Sequence, residues 1–236
     1  MLTLVTPMSL YPINVNITDK LCIVVGGGAV ALRKTTSLLA GGAKIRVISP
    51  AAHAELQVLA RHKEIEWFAR EFVEGDLKGA FLVFAATNNH EVQLLIAREA
   101  GKYAVLLNSA DDPQNSHFHV PAHFRRGKML VTVSTSGSSP ALAKKIRQQL
   151  EIVVVPEYEI VADLFSLIRE KVVDADGDSL ANAELFRRLM QEGIVELILQ
   201  ANWFDLQMML LRELPESVDA VTLMRKILEK HDTSGC

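Results

Sequence analysis

A run of glycines separates a short apolar segment from a helix-like segment near the start of the chain. Residues 21–25 are all apolar, residues 26–31 read GGGAVA, and helical spacing continues to residue 40. A strand, a G-x-G-x-x-A turn and a helix in this order are typical of a dinucleotide-binding turn. Glycine in the first two motif positions permits the tight turn and the approach of backbone to pyrophosphate. We predict a dinucleotide site whose amide donors come from the helix N-terminus, with contacts at Gly26, Gly28, Ala29 and Val30.

The second predicted strand, residues 44–48, lacks the acidic residue that commonly binds the ribose hydroxyls of NAD. The strand is followed by Ser49, Pro50 and Ala51, and Glu55 comes a turn too late. Arg46 alternates within the strand, so it is poorly placed to bind a 2′-phosphate. We expect NAD as the cofactor, held partly by backbone groups of residues 49–51, and the residues leave NADP as the alternative.

Polar residues follow two later strands, where open α/β sheets place their ligands. Thr87 and Asn88 follow an apolar run at 81–86, and we assign both to the cofactor site. Asn108 begins a second polar segment that contains Asp111 and Asp112. Either carboxylate could act as a general acid or base beside a nicotinamide. Asp-Asp-Pro is equally an ordinary turn sequence, so the residues alone leave both interpretations open.

Two further groups of residues have a chemical and a structural interpretation. His117, His119 and His123 include a His-x-His pair, which suits metal binding. No acidic or cysteine ligand accompanies them at a fixed spacing, so we predict no metal site. Residues 134–141 read STSGSSPA and precede a helix, where hydroxyls and free amides can bind an anion. The same loop can cap the helix, with Ser139 as the N-cap and Pro140 at the first helical position.

The elements that position these residues alternate between strand and helix in the first half of the chain. Predicted strands at 21–25, 44–48, 65–68, 81–86 and 104–107 alternate with predicted helices at 29–40, 52–62 and 91–100. This order favours an α/β fold with a Rossmann-like, doubly wound parallel sheet. A strand at 128–134 and a helix from Pro140 to 150 or beyond predict a small α+β region. Helical periodicity at 158–172, 183–211 and 218–228, with breaks at 174–178 and Pro215, predicts an all-helical C-terminal part. We place the domains at 1–113, 114–150 and 151–236.

Composition excludes several classes of protein. The 236 residues are 49% hydrophobic and 22% charged, with a net charge of −3. Nucleic-acid binding requires a basic face, which this balance does not favour. Neither Cys22 nor Cys236 suggests a disulfide, and residues 1–10 lack the basic start of a signal peptide. No apolar run reaches the ~18 residues of a membrane span, so we expect a cytoplasmic protein.

Several motifs, taken in order, resemble the precorrin-2 dehydrogenase family, which includes the N-terminal part of bacterial sirohaem synthase. The resemblance covers roughly residues 8 to 150, and its specificity lies in the ordered set. The matching stretches are Tyr11-Pro12-Ile13, the segment from Val24 to Lys34, Ala85-Ala86-Thr87-Asn88, Asn108-Ser109-Ala110-Asp111, Val120-Pro121-Ala122, and the segment from Val133 to Ala143.

The resemblance implies NAD-dependent oxidation of precorrin-2 to sirohydrochlorin in a homodimer with a central dimerisation region. Asp111 falls on the family's catalytic aspartate, and Gly28, Ala29, Val30, Pro50 and Ala51 on its dinucleotide contacts. A loop serine that some members use at the tetrapyrrole site falls on Thr135. The implied substrate-binding residues are Asn108, Ser134, Thr135, Ser136 and Lys144. The substrate carries many carboxylates, so a cationic rim is expected, with Arg125, Arg126, Lys144, Lys145 and Arg147 as candidates.

Two other functions remain open from the sequence. Some family members also insert ferrous iron, and a chain that is mainly a ferrochelatase would use His117, His119 or Asp111 to take protons from the pyrrole nitrogens. A non-enzymatic module that senses the NAD redox state would keep the glycine-rich turn and use its helical part to bind a partner.

Overall fold

The described part of the chain comprises residues 10–109, 112, 115–176 and 179–232 in a computed structural model. It divides into two compact units, residues 1–120 and 121–236. The three-part division at residues 113 and 150 stays a prediction. No helix within the described ranges is both long enough and apolar enough to cross a membrane.

The first unit is built on a five-stranded parallel sheet with the order β3-β2-β1-β4-β5. After β1 the chain builds β2 and β3 on one side and then returns to build β4 and β5 on the other. The strand order therefore reverses between β1 and β4, and this is where open α/β sheets bind ligands. The elements are β1 (Leu21–Val25), α1 (Ala29–Ala40), β2 (Lys44–Ile48), α2 (Ala54–Arg61), β3 (Glu66–Phe68), β4 (Leu82–Ala85), α3 (His90–Tyr103) and β5 (Leu106–Ser109).

The central strands β1 and β4 are apolar throughout because helices cover the sheet on both faces. Alternate residues of each strand enter two separate cores. Val24 and Phe84 pack on the side of α1 and α2, whereas Ile23 and Val83 pack on the side of α3. Each buried aliphatic side chain of this size contributes about 2 kcal/mol to folding. This burial holds the carboxyl ends of the strands rigidly side by side.

The exposed edge of β5 is covered by residues 116–118 rather than by a sixth regular strand. The amide of His117 donates to the Leu107 carbonyl at 2.8 Å, and the Leu107 amide donates to His117 Nδ1 at 3.0 Å. Asn108 Nδ2 donates to the Phe118 carbonyl at 2.9 Å, and the Ser109 amide donates to Ser116 Oγ at 2.9 Å. Side chains thus replace backbone partners along an edge that would otherwise be open to pairing.

The second unit begins with an antiparallel hairpin and continues with helices. β6 (Ala122–Arg126) pairs with β7 (Met129–Val133), and α4 packs against both strands. The large apolar core of the unit lies among the later helices, where Leu164, Ile168, Leu189, Leu206 and Leu210 are fully buried. The helices are α4 (Pro140–Val153), α5 (Tyr158–Asp176), α6 (Ser179–Gln191), α7 (Ile194–Leu199), α8 (Trp203–Glu213) and α9 (Ala220–Asp232).

The structure contains one strand that was not predicted and divides one predicted helix into three. β6 reads AHFRR and buries only Phe124, so it carries no apolar alternation that would reveal it. The predicted helix at 183–211 is wrong in its extent, because α6, α7 and α8 are separated at Gly193 and Ala201. Both residues have left-handed backbone angles, with φ of 84° and 53°. Apolar periodicity continues across these turns because all three helices face the same core.

One buried carboxylate links distant parts of the second unit. Asp163 on α5 is 3% exposed. It is paired with Lys230 of α9, it lies 3.2 Å from Nε2 of His231, and Lys128 Nζ is 4.0 Å away. Lys128 also donates to Ser166 Oγ at 2.6 Å. A carboxylate can be buried when cations and hydrogen bonds surround it in this way, and here it fixes α9 against α5.

Candidate active site

A cleft of about 550 Å³ opens at the carboxyl ends of β1, β2 and β4. It lies at the point where the strand order reverses. All of the predicted cofactor residues except Pro50 line it, and Gly27, Ala52 and Ala86 are further lining residues that were not predicted as cofactor contacts. The lining residues are Gly26, Gly27, Gly28, Ala29, Val30, Ser49, Ala51, Ala52, Ala86, Thr87 and Asn88.

The three positions at the floor of the cleft are occupied by glycine for different structural reasons. Gly26 has φ of 124°, and a Cβ there would lie 2.1 Å from the Ala86 carbonyl oxygen. A Cβ on Gly27 would lie 1.9 Å from the Ala51 carbonyl oxygen. A Cβ on Gly28 would meet nothing within 4 Å. The first two glycines therefore permit chain packing, whereas Gly28 leaves open space above the backbone.

The N-terminus of α1 points its amides into that open space. Gly28 is the N-cap, and within the described chain no side chain caps the helix. The first amides of a helix lack intrahelical acceptors, and the helix dipole places partial positive charge there. A cap without a side chain leaves these donors accessible, so the residues present fit the pyrophosphate of a dinucleotide.

The turn after β2 forms one wall of the cleft, and hydrogen bonds to backbone carbonyls hold it in place. Ser49 Oγ donates to the Ala51 carbonyl at 2.7 Å, and the His53 amide donates to the Gly27 carbonyl at 2.8 Å. Trp67 Nε1 donates to the Ser49 carbonyl at 3.0 Å from the neighbouring strand. The turn is thus held against the glycines in a defined position, although it carries no acidic side chain.

Arg46 is engaged away from the cleft. Its guanidinium donates to Glu66 at 2.8 Å and lies 4.7 Å from the centre of the Phe68 ring. The described residues that line the cleft include no charged side chain. The wall that would face the adenosine ribose therefore offers backbone and hydroxyl groups rather than a cation.

The loop after β4 forms the opposite wall and is anchored to α3. Asn89 caps α3 by accepting from the amides of Glu91 and Val92 at 3.0 and 3.3 Å. The Asn89 amide donates to Thr87 Oγ1 at 3.2 Å, and Gln93 Nε2 donates to the Thr87 carbonyl at 2.6 Å. These bonds hold Thr87 in the cleft wall.

The acidic segment after β5 is described only in part. Asp111, the predicted catalytic residue, lies outside the described residues. Asp112 accepts from the Asn115 amide at 3.2 Å, and its carbonyl accepts from Ser116 Oγ at 3.0 Å. Asn108 is 8% exposed, and its amide nitrogen is bonded to the Phe118 carbonyl. The predicted substrate-binding Asn108 thus holds the segment at 116–118 against the sheet edge.

Two family models match the chain consecutively. An NAD(P)-binding family matches residues 13–122, and the central domain of sirohaem biosynthesis proteins matches residues 126–151. Together they cover more than half of the chain. The chain therefore carries an NAD(P)-binding domain followed by a central domain like that of sirohaem biosynthesis proteins. The predicted dinucleotide-binding domain is therefore confirmed.

The chain is also similar to curated sirohaem synthases and to one solved structure. A sirohaem synthase of Aeromonas hydrophila is 37% identical over 70% of this chain and 35% of its own length. A sirohaem synthase of Methylococcus capsulatus is 33% identical over 90% of this chain and 44% of its own length. The chain thus spans less than half the length of these relatives. The structure named "SirC, precorrin-2 dehydrogenase" covers 95% of this chain and is itself covered completely, with a TM-score of 0.67 and 21% identity. It confirms the predicted fold class.

The Ser/Thr-rich loop lies in the second unit and caps α4. Ser139 Oγ accepts from the Leu142 amide at 3.2 Å with Pro140 in the first turn, as predicted. Thr135 Oγ1 donates to the Ser139 carbonyl and accepts from its amide, both at 3.1 Å. Ser134 and Ser136 are exposed, and Ser136 has a left-handed φ of 51°. Thr135 therefore shapes the loop, and Ser134 Oγ also accepts from the Ser136 amide at 3.1 Å.

The predicted cationic rim divides into two groups. Arg126 donates to the carbonyls of Val154 and Glu151 at 3.2 and 3.3 Å, and Arg147 donates to the Glu151 carboxylate at 2.6 Å. These two arginines secure the end of α4. The side chains of Arg125, Lys144 and Lys145 are exposed.

His117 and His123 have backbone partners, whereas His119 Nε2 is buried with no hydrogen-bond partner among the described residues. His117 Nδ1 accepts from the Leu107 amide, and His123 Nδ1 lies 3.0 Å from the Pro121 carbonyl. Among the residues that the structure describes, no group of three or more His, Cys, Asp or Glu side chains could hold a metal ion.

Proposed function

We propose that this chain is a dehydrogenase that uses NAD to oxidise precorrin-2 to sirohydrochlorin. The observation that carries the proposal is the open, uncapped N-terminus of α1 at Gly28, at the point where the strand order reverses. It occurs in a chain that combines an NAD(P)-binding domain with the central domain of sirohaem biosynthesis proteins. The relatives are named sirohaem synthases, and the structural neighbour is named a precorrin-2 dehydrogenase.

NAD fits the cleft better than NADP. A 2′-phosphate carries about two negative charges near pH 7 and requires cationic donors in place of bulk water. The described lining residues are uncharged, and Arg46 is committed to Glu66. Ser49, Ala51 and Ala52 offer polar backbone and hydroxyl groups that suit ribose hydroxyls. This arrangement supports NAD although the second strand lacks the usual acid.

The reaction removes one hydride and one proton from precorrin-2, so that precorrin-2 and NAD⁺ yield sirohydrochlorin, NADH and H⁺. Bound NAD supplies the hydride acceptor. We assign the proton to the Asp111 carboxylate, which follows the last residue of β5 by two positions. The helix N-terminus of α1 orients the pyrophosphate, and Thr87 and Asn88 line the cleft beside β4. Positioning of this kind supplies much of the rate enhancement in enzymes that form no covalent intermediate with their substrate.

We assign substrate binding to the exposed polar groups of the second unit and to the segment after β5. Lys144, Lys145 and Arg125 are exposed cations that can meet the carboxylates of a tetrapyrrole. Ser134 and Ser136 offer exposed hydroxyls beside the start of α4. Asn108 contributes through the position of the segment it holds, because its own amide is bonded within the fold.

We propose that the protein is a cytoplasmic homodimer. The hairpin of β6 and β7 is a sheet of two strands, and the adjoining α4 exposes Leu142, Ile152 and Val153 by 51%, 77% and 69%. Apolar side chains exposed to this degree at both ends of one helix favour burial against a partner. The buried free thiol of Cys22 agrees with a reducing compartment. Light scattering should report twice the chain mass of 26.1 kDa.

The decisive experiment follows absorbance after precorrin-2 is added to the purified chain with NAD. We expect NADH formation in stoichiometric amounts with sirohydrochlorin. The variant Asp111→Asn should reduce kcat by about 10²- to 10⁴-fold, the usual contribution of a general base. The matched control Asp112→Asn should change kcat less than about tenfold, because its role is to hold the loop.

Other outcomes distinguish the alternative functions. Sirohaem formation from sirohydrochlorin and ferrous iron without NAD, in the absence of precorrin-2 oxidation, would identify a chelatase instead. NAD binding without any turnover would favour the sensor module. Full turnover by Asp111→Asn would refute the assignment of the base.

A further inference from the structure

A small cavity lies behind the cofactor cleft, between β4, α3 and the end of β5. Its volume is about 20 Å³. This is room for about one water molecule. It is lined by Ala85, His90, Gln93, Leu94, Ala97, Leu107, Ser109, Asp112 and Asn115.

The hydroxyl of Ser109 is the group in this cavity that most needs a partner. Ser109 is the last residue of β5, is 7% exposed, and lines the cavity. Its Oγ is buried and has no hydrogen-bond partner among the described residues. Buried hydroxyls are almost always hydrogen-bonded, to protein or to ordered water, because losing water without replacement is unfavourable.

The cavity offers further polar groups for a molecule bound there. Gln93 uses its Nε2 to donate to the Thr87 carbonyl, which leaves its amide oxygen as an acceptor. Asp112 is held by the Asn115 amide and contributes to the lining. A buried water typically makes about three hydrogen bonds, and such a site needs two to four polar partners. Ser109, Gln93 and Asp112 meet that requirement.

We propose that one ordered water occupies this cavity and links Ser109 and Gln93 to Asp112. The water ties Asp112 to α3, and through Gln93 to the loop that carries Thr87 in the cleft wall. Ser109 is then a positioning residue. We assign it a role that acts through the water, by fixing Asp112 relative to the cofactor cleft. The catalytic part of this inference rests on the proposed function.

Structure and stability test the water itself. A high-resolution crystal structure of the full chain should show a water within hydrogen-bond distance of Ser109 Oγ. Ser109→Ala should lower the melting temperature, because a bound water loses a partner. Thr35→Val is the matched control, since Thr35 is 0% exposed, has an unpartnered buried hydroxyl, and lies in α1 outside the cavity lining. Removing that hydroxyl should raise the melting temperature.

A dry cavity predicts the opposite result for Ser109. Ser109→Ala would then raise the melting temperature as Thr35→Val does, and the wild-type structure would show no density beside Ser109 Oγ. Either observation would overturn the proposal. Both are independent of catalysis, so they decide the water site even if wild-type protein fails to oxidise precorrin-2 and the proposed function falls.

Kinetics test the positioning role. Ser109→Val fills the cavity with a methyl group and excludes the water. We expect kcat for precorrin-2 oxidation to fall by about tenfold, because small displacements of a catalytic group are costly, while KM for NAD stays within about twofold. Thr35→Val should keep wild-type kcat. A wild-type kcat for Ser109→Val would show that the water has no positioning role, and an equal loss in NAD binding would indicate general disruption of the unit.

Discussion

Replacing Gly28 by alanine should separate cofactor binding from folding. Gly28 has φ of −84° and ψ of −169°, which alanine can adopt. The new methyl group would meet no protein atom within 4 Å. Alanine is a poorer N-cap than glycine by about 1 kcal/mol, and the loss of chain entropy in the unfolded state offsets about 0.4–1 kcal/mol of this. The melting temperature should therefore change by less than about 3 °C.

The same methyl group would occupy the space through which pyrophosphate approaches the amides of α1. Hydrogen bonds to a charged acceptor contribute about 1.5–3 kcal/mol each. Losing the equivalent of one or two of these hydrogen bonds should raise the Kd for NAD by about 100-fold, which corresponds to about 2.8 kcal/mol of binding free energy. Titration calorimetry with NAD measures this change, and a thermal melt of the same sample measures stability.

Gly27→Ala is the control in which folding fails first. Its Cβ would lie 1.9 Å from the Ala51 carbonyl oxygen and 2.8 Å from Ser49 Oγ. Relief requires the turn after β2 to move by more than an ångström, at a cost of about 3 kcal/mol and about 10 °C in melting temperature. The reasoning would be refuted if Gly28→Ala bound NAD with wild-type affinity, or if it were destabilised as much as Gly27→Ala.

Two further predictions concern buried ionisable groups. Asp163→Ala should lower the free energy of unfolding of the second unit by about 2 kcal/mol, because Lys230 and His231 lose their carboxylate partner. Urea titration followed by circular dichroism measures this change. An unchanged midpoint would contradict the role of Asp163. Burial raises the pKa of the Cys22 thiol to about 11 from 9.0, so stability present below pH 9 should be lost as the pH rises toward 11. In native protein, the Cys22 thiol should also resist alkylation by iodoacetamide at pH 8. Peptide mass spectrometry measures the extent of alkylation. Rapid labelling of Cys22 would show that the strand opens.

Local sequence patterns were sufficient to predict several elements of the first unit, because apolar runs and glycines within or beside those elements indicate them. The helix predicted at 29–40 has those bounds in the structure, where Gly41 and Gly42 end it as expected. The apolar runs at 21–25 and 44–48 are strands with the predicted bounds. Buried strands of a parallel sheet are apolar throughout, and glycines end α1, so these signals lie within a few residues of the element itself.

Local patterns failed where a partner distant in sequence decides the structure. β6 forms because β7 and α4 lie against it, although its sequence is mostly polar. The cavity beside Ser109 requires α3 and β5 to meet, and no motif within either element signals it. The covering of the β5 edge by the His117 ring was equally invisible, since a histidine that replaces a backbone acceptor looks in sequence like a candidate metal ligand.

The sequence by itself determined the dinucleotide-binding turn, the alternation that builds the sheet, and the ordered motifs of the family. Only the tertiary structure assigned separate roles to Gly27 and Gly28, because the Ala51 carbonyl that excludes a side chain at Gly27 comes from the turn after β2. Only the structure showed which group binds Arg46, because its partner Glu66 lies on the adjacent strand. Strand pairing brings together residues about twenty positions apart, and such contacts depend on the whole sheet rather than on any one segment.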